Sequence, residues 1–222
     1  MDKMVDAKMD QLKAALNQSV SMIVNSYENM PWDNKEFYAN YIAQTFYYVR
    51  HSTRMLATSA GRLSYEQQQN LHLRFLKHLG EEAGHEKLAI NDLKALGYTL
   101  NDFKELNATR CFYEPQYFKI EHKDPLAIMG YILYLEVLAQ NICPPLSKKL
   151  TALYGKKTAT FLIVHGEEDP HHVEEAQKML ATLPPEALAI ITENLEQSSF
   201  AFNLMMKEIS DSVQLAKWKK AA

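Results

Sequence analysis

Six residues in three segments carry side chains that together could hold metal ions: Glu82 and His85, then Glu136, then His165, Asp169 and His172. Imidazole and carboxylate donors suit iron or manganese, whereas structural zinc favours thiolates in a closed set of four. Glu136 carries the strongest signal. It interrupts the most apolar stretch of the chain, Ile128-Met-Gly-Tyr-Ile-Leu-Tyr-Leu-Glu136-Val-Leu-Ala. On a helix its face-mates are Met129, Ile132, Leu133, Ala139, Gln140 and Cys143, so the carboxylate is expected to be buried. A buried, ionised carboxylate is costly unless it is paired or binds a metal. The plain alternative is a glutamate held by a Tyr, Lys or Arg of another helix.

The second signal is His165-Gly-Glu-Glu-Asp169-Pro-His-His172, in which His165, Asp169 and His172 fall at i, i+4 and i+7 on one stripe flanked by Leu162, Val173 and Ala176. Glu168, His171 and Glu175 fall on a neighbouring stripe that suits solvent. The alternative is a charged surface patch at a helix boundary. The third signal is His78-Leu-Gly-Glu81-Glu82-Ala-Gly-His85, where Glu82 and His85 have the Glu-x-x-His spacing of di-iron carboxylate bundles. Glu81 and His85, at i and i+4, form an alternative pair, and a glutamate on a long helix is commonly just solvated. Gly84 lowers helix propensity, which a close approach by another helix would explain. Glu36 is a further carboxylate near the start of the second helix and stays open as a ligand. His51 reads as a core histidine or one placed behind the ligands. Other chemistries have little support. There is no Gly-x-Ser-x-Gly motif and no Gly-rich phosphate loop, and Cys143 reads as buried and inert.

These side chains need helices to position them. The chain has 222 residues, enough for one domain with its own core. Only 7 Gly and 8 Pro favour long helices over many short strands. A first helix is expected over Asp2–Tyr27. A second begins at Asp33, where Asp33 and Glu36 have capping-box spacing, and reaches about Thr58. Ser64 and Gln67 have the same spacing at the start of a third, ending at Gly97. Residues 98–124 read as an aromatic-rich connection with short helical turns. Asp124–Pro125 reads as N-cap and N1 of a fourth helix, broken or kinked at Pro144–Pro145. A piece from Leu146 to Tyr154 follows, then a helix from near Lys156 with Pro170 inside it, then a last helix from Pro184–Pro185 to about Asp211. Lys217–Ala222 reads as a frayed basic tail. The expected architecture is a single all-α bundle of about seven helices over residues 1–222.

With 24 Lys and Arg against 27 Asp and Glu, the net charge of −3 gives no nucleic-acid footprint. Two cysteines without metal spacing fit a reducing cytoplasm. The N-terminus lacks the apolar core of a secretory signal. The longest apolar run, Leu126–Leu135, is half the roughly 20 residues a membrane span needs, so no membrane partner is expected.

Phe46-Tyr-Tyr-Val-Arg-His51, Glu81-Glu-Ala-Gly-His85 leading to Asn91-Asp-Leu-Lys-Ala-Leu-Gly97, Glu136, and His165-x-x-x-Asp169-x-x-His172 together resemble the haem-oxygenase-like di-iron oxidases and oxygenases. That superfamily also holds thiaminase II and pyrroloquinoline-quinone synthase. The resemblance spans roughly residues 35 to 180, and the His165/Asp169/His172 triad is its most specific part. It implies the haem-oxygenase-like bundle and the ligands Glu82, His85, Glu136, His165, Asp169 and His172, with Glu136 as the catalytic candidate. It also implies two irons per chain, dioxygen as co-substrate, and oxidation of an amino acid, amine or fatty acid with electrons from an unidentified donor. A homodimer is left open. The departure is Tyr41-Ile-Ala-Gln44-Thr-Phe-Tyr-Tyr48, where several members place a further glutamate, and this leaves one iron position in question.

Several rivals compete with this reading. A metal-free thiaminase II-like or pyrroloquinoline-quinone-synthase-like enzyme would use Glu136 as acid or base, and does not need so many converging ligands. A ferritin-like iron protein is disfavoured by His165 and by the missing early Glu. A haem oxygenase proper lacks a histidine in the first helix. A helical interaction module would show a heptad seam, which is absent.

Overall fold

A computed structural model describes the backbone of residues 3–221 and the side chains of these residues other than 168–171 and 214–221. Among the described residues it contains nine α-helices, three short 3-10 turns and no strand. The helices are α1 (Lys3–Tyr27), α2 (Lys35–Val49), α3 (Ser52–Arg62), α4 (Tyr65–Glu82), α5 (His85–Ala95), α6 (Asn107–His122), α7 (Ile128–Tyr154), α8 (Thr160–Leu180) and α9 (Pro185–Ala221). One hydrophobic core runs through all of them apart from exposed faces.

Helix α7 is the axis of the bundle. It packs on α8, α9 and α1, and α1 also packs on α9. Its apolar residues face all round, the pattern of a helix enclosed by others. With the turn before it, α7 is long and apolar enough to cross a membrane, yet 67% of that apolar window is buried inside the bundle. It is a core helix of a globular protein. Gly130 permits its closest approach. A Cβ there would lie 2.3 Å from the Ile191 carbonyl oxygen and 2.6 Å from the Leu195 nitrogen, both backbone atoms of α9.

Several boundaries follow the expected signals. Ser64 Oγ accepts from the Gln67 N–H at the start of α4, Gly97 sits at φ +81 after α5, and Asp124 accepts from the Leu126 N–H just before α7. Others differ. Asn34, not Asp33, caps α2, accepting from the Glu36 and Phe37 N–H groups. The expected second helix is two, α2 and α3, hinged at Arg50–His51. The expected third is also two, because Gly84 at φ +101 ends α4 and begins α5. A left-handed backbone therefore explains Gly84; only the Lys87 Nζ atom comes within 4 Å of the place a Cβ would take. Residues 107–122, expected as connection, form α6, which tolerates Pro115. Helix α7 continues through Pro144–Pro145, because Leu146 and Leu150 carry the buried stripe onward. Helix α9 extends past Asp211 to Ala221; the side chains of the expected tail lie outside the described residues.

One buried group sets the register of α8. Asp92 of α5 accepts from the Thr160 and Phe161 backbone N–H groups, at 2.9 Å each, and from the Thr160 hydroxyl. It thus satisfies the free N–H groups at the start of α8, one turn before His165.

Replacing Gly130 by Ala forces α7 and α9 apart against backbone that cannot yield. The expected cost is about 1–3 kcal/mol, the range for overpacked cores. Urea unfolding measures it, and an unchanged midpoint would refute the close contact.

Candidate metal centre

The end of α4, the start of α5, the middle of α7 and the middle of α8 converge on one place. Glu82, the last residue of α4, presents its two carboxylate oxygens to different neighbours. Oε1 lies 3.5 Å from His78 Nε2, and Oε2 lies 3.5 Å from His85 Nδ1. The same His78 Nε2 lies 3.3 Å from Glu136 Oε1, which is 3.8 Å from His172 Nδ1. The His78 and His172 rings are 5.0 Å apart, and the His85 and His165 rings 4.9 Å. Donor atoms of His78, Glu82 and His172 lie within 4.8 Å of one another, and so do those of Glu82, His85 and His165. Glu82 belongs to both groups.

This donor set fits metal ions. Two ligands about 2.1 Å from a shared ion stand about 3.0–3.4 Å apart at right-angled to tetrahedral geometry. The spacings above match or slightly exceed that. The donors are imidazole and carboxylate throughout, the mixture suited to iron or manganese. His165 is already oriented as a ligand: its Nδ1–H donates to the Phe161 carbonyl at 2.8 Å, and its ring stacks on Phe161 at 4.0 Å. Its Nε2 is thereby left as the donor atom.

Burial makes the charges consequential. Glu136 is 5% exposed, His78 5% and His172 4%, and the Glu82 side chain is 13% exposed. Burial pushes the Glu82 carboxyl up, but hydrogen bonds from His78 and His85 and the nearby charges of His78 and His165 outweigh it. The net effect holds the carboxyl well below the usual carboxylate range, so Glu82 is ionised whenever its imidazoles carry charge.

A cavity enclosing about 770 Å³ of space, part of it open to solvent, adjoins the cluster. His78, Glu82, Glu136 and His165 form one end. Most of the remainder is apolar, from α2, α3 and α7, including Val49, Met55, Leu56, Ile132, Leu138 and Ile142. Three tyrosines, Tyr41, Tyr48 and Tyr131, also line it, with Cys143 beside them. Burial drives the Tyr131 hydroxyl far above its ordinary pKa, so it stays protonated.

Of the six ligands expected from sequence, the structure brings five together: Glu82, His85, Glu136, His165 and His172. The side chain of Asp169 lies outside the described residues. His78 is the member that sequence reasoning missed. Its signal was available: it precedes Glu82 by one helical turn and His85 by two. Glu81 does not join either donor group; it meets His172 Nε2 from behind, at 3.6 Å. Glu175, expected to be solvated, instead pairs with Arg74 and Lys77. Glu36 belongs to neither donor group. His51 stands elsewhere, accepting from or donating to the Tyr117 hydroxyl at 2.9 Å and stacked on Tyr113 at 4.0 Å.

The fold and this centre define a haem-oxygenase-like helical protein with a carboxylate–histidine cluster at the end of an apolar cavity. A model of a family described as iron-containing redox enzymes matches residues 39–197, and the chain belongs to that family. No curated protein matches it. Two solved structures share the fold. A domain of unknown function with a haem oxygenase-like fold from Shewanella denitrificans aligns over 91% of this chain and 93% of its own, at 24% identity and a TM-score of 0.78. A TenA homologue from Pseudomonas syringae pv. tomato aligns over 91% and 92%, at 13% identity and a TM-score of 0.75.

His51 yields a pH prediction. Burial first, then Arg50 and Arg54, lower its pKa from 6.5 to about 4. Between those values the unfolded chain binds a proton that the folded chain refuses, so stability falls as pH drops through that window. In His51→Gln the difference in melting temperature between pH 7 and pH 5 should shrink relative to wild type. An unchanged difference would show that His51 titrates normally.

Proposed function

We propose that this protein is a non-haem di-iron oxidase or oxygenase that uses dioxygen to oxidise a small, largely apolar molecule. The observation that carries the reading is the double membership of Glu82. One carboxylate meets His78 with one oxygen and His85 with the other and is a member of both donor groups, as a residue shared between two metal ions would be. His78, Glu82, His172 and Glu136 would hold one iron; Glu82, His85 and His165 would hold the other. Asp169, one turn before His172 on α8, is retained as a further ligand of the cluster.

Iron at these positions would supply the electron transfer to dioxygen that side chains alone cannot provide. The rest is the work of the chain. Glu82 and Glu136 provide negative charge that favours divalent ions over imidazolium protons. The Phe161 carbonyl fixes the His165 ring and its tautomer. The aliphatic wall holds an apolar substrate body against the cluster and limits water there. Among the described residues no Lys or Arg lines the cavity, so the metal-binding end is where a polar substrate group would be received. Membership of an iron-containing redox family supports the same reading.

Anaerobic titration with ferrous iron tests it. Wild type should take up two irons per chain and give a transient visible absorption on mixing with dioxygen. His165→Ala should keep one iron, whereas Glu82→Ala should weaken both positions. A folded wild-type protein that takes up no iron would overturn the reading and return Glu136 to the role of acid or base in a metal-free enzyme.

A further inference from the structure

Behind His172, on the side away from Glu136, stands an ion-pair lattice that the metal ligands do not include. Glu81 Oε2 lies 3.6 Å from His172 Nε2. Glu81 is itself gripped by two cations of its own helix, Lys77 at 3.3 Å and Arg74 at 3.9 Å. The same two cations reach across to α8, where Glu175 lies 3.3 Å from Arg74 and 2.5 Å from Lys77. Glu175 follows His172 by three residues, on the same side of α8. Arg74, Glu81 and Glu175 are each largely enclosed, with side-chain exposures of 16%, 28% and 23%.

This lattice links α4, which supplies His78 and Glu82, to α8, which supplies His172. Phe75 and His78 are the buried residues of α4, Leu71 and Leu79 also pack against the core, and α3 is its main packing neighbour.

We propose that Glu81 is a positioning residue for His172, and that Arg74, Lys77 and Glu175 act through it to preorganise the deeper half of the metal centre. Glu81 Oε2 faces the Nε2 of His172 at 3.6 Å, so its charge favours the tautomer with the proton on that nitrogen and leaves Nδ1, the nitrogen facing Glu136, as the donor to a metal. A carboxylate in this place orients the ring and raises its basicity. The inference rests on the reading of the cluster as a metal centre.

Titration of the metal-free full-length protein with cobalt(II), followed by visible absorption, tests it without turnover. Wild type is expected to bind two ions. Glu81→Gln keeps the shape and loses the charge; it should weaken one ion by 10- to 100-fold and alter the absorption of that ion alone. Glu175→Gln should do the same to a smaller degree. The double variant should be no worse than Glu81→Gln, because both act along one path. Melting of the metal-free variants should stay close to wild type, since part-exposed ion pairs contribute little to stability. Unchanged cobalt affinity in Glu81→Gln would overturn the proposal. So would complete loss of one equivalent, which would make Glu81 a ligand, or equal weakening of both ions, which would indicate general distortion. Failure of folded wild type to bind any cobalt would instead overturn the metal reading itself, and this proposal with it.

Discussion

Glu82 is a carboxylate withdrawn from water at the junction of two helices, and an ion in that position must be compensated. Four imidazoles on three helices surround it, with His78 at one oxygen and His85 at the other. That requirement links features that otherwise look unrelated. Helix α4 must end at Glu82, so that the carboxylate projects into the bundle. The left-handed Gly84 must follow, so that His85 opens α5 within reach of the second oxygen. Helix α8 must start at a fixed level for His165 to meet His85, and Asp92 sets that level by capping it.

The apolar interior gives the cluster its strength. Helix α7 carries Glu136 on an otherwise apolar stretch, 3.3 Å from His78, and Gly130 brings that helix close against α9. In such surroundings electrostatic interactions are far stronger than in water. The same wall forms the cavity that ends at the cluster. Helix α7 contributes to both: Ile132, Leu138 and Ile142 line the cavity, and Glu136 stands at its end beside donors from α4 and α8.

How much of this was legible in the sequence depended on the range of the interaction involved. Local signals were readable. Ser64, Asp124–Pro125 and Gly97 act within a turn of themselves, and each stands where its chemistry predicts. Glu136 was readable because an acid in an apolar helix has few fates. The breaks at Arg50–His51 and Gly84 were not, since the first has no Pro or Gly and the second has a Gly that fits several roles. Helix α6 was hidden by Pro115 and by its aromatic residues, although Phe112, Gln116 and Ile120 form a stripe at helical spacing that is buried against other helices. His78 was missed for the same reason. On its own helix it is an ordinary i, i+4 partner of Glu82; the approach of α7, bringing Glu136 to 3.3 Å, draws it into the donor cluster. Glu175 looked solvated because its partners, Arg74 and Lys77, lie about a hundred positions earlier.

The distribution of charge separates structure from function among these acids. Glu81 and Glu175 have permanent cations, Arg74 and Lys77, and both pairs sit near the surface where such pairing is sufficient. Glu82 and Glu136 lie deeper, and among the described residues no Lys or Arg joins them in the lining of the cavity. The groups that meet them there are imidazoles. A divalent ion compensates better: it binds the neutral imidazoles as ligands and the carboxylates as counter-charges at the same time. Among the described residues the outer glutamates meet lysine and arginine and the inner ones meet histidine, a division that supports the proposed role of the inner position as the seat of a cation from outside the chain.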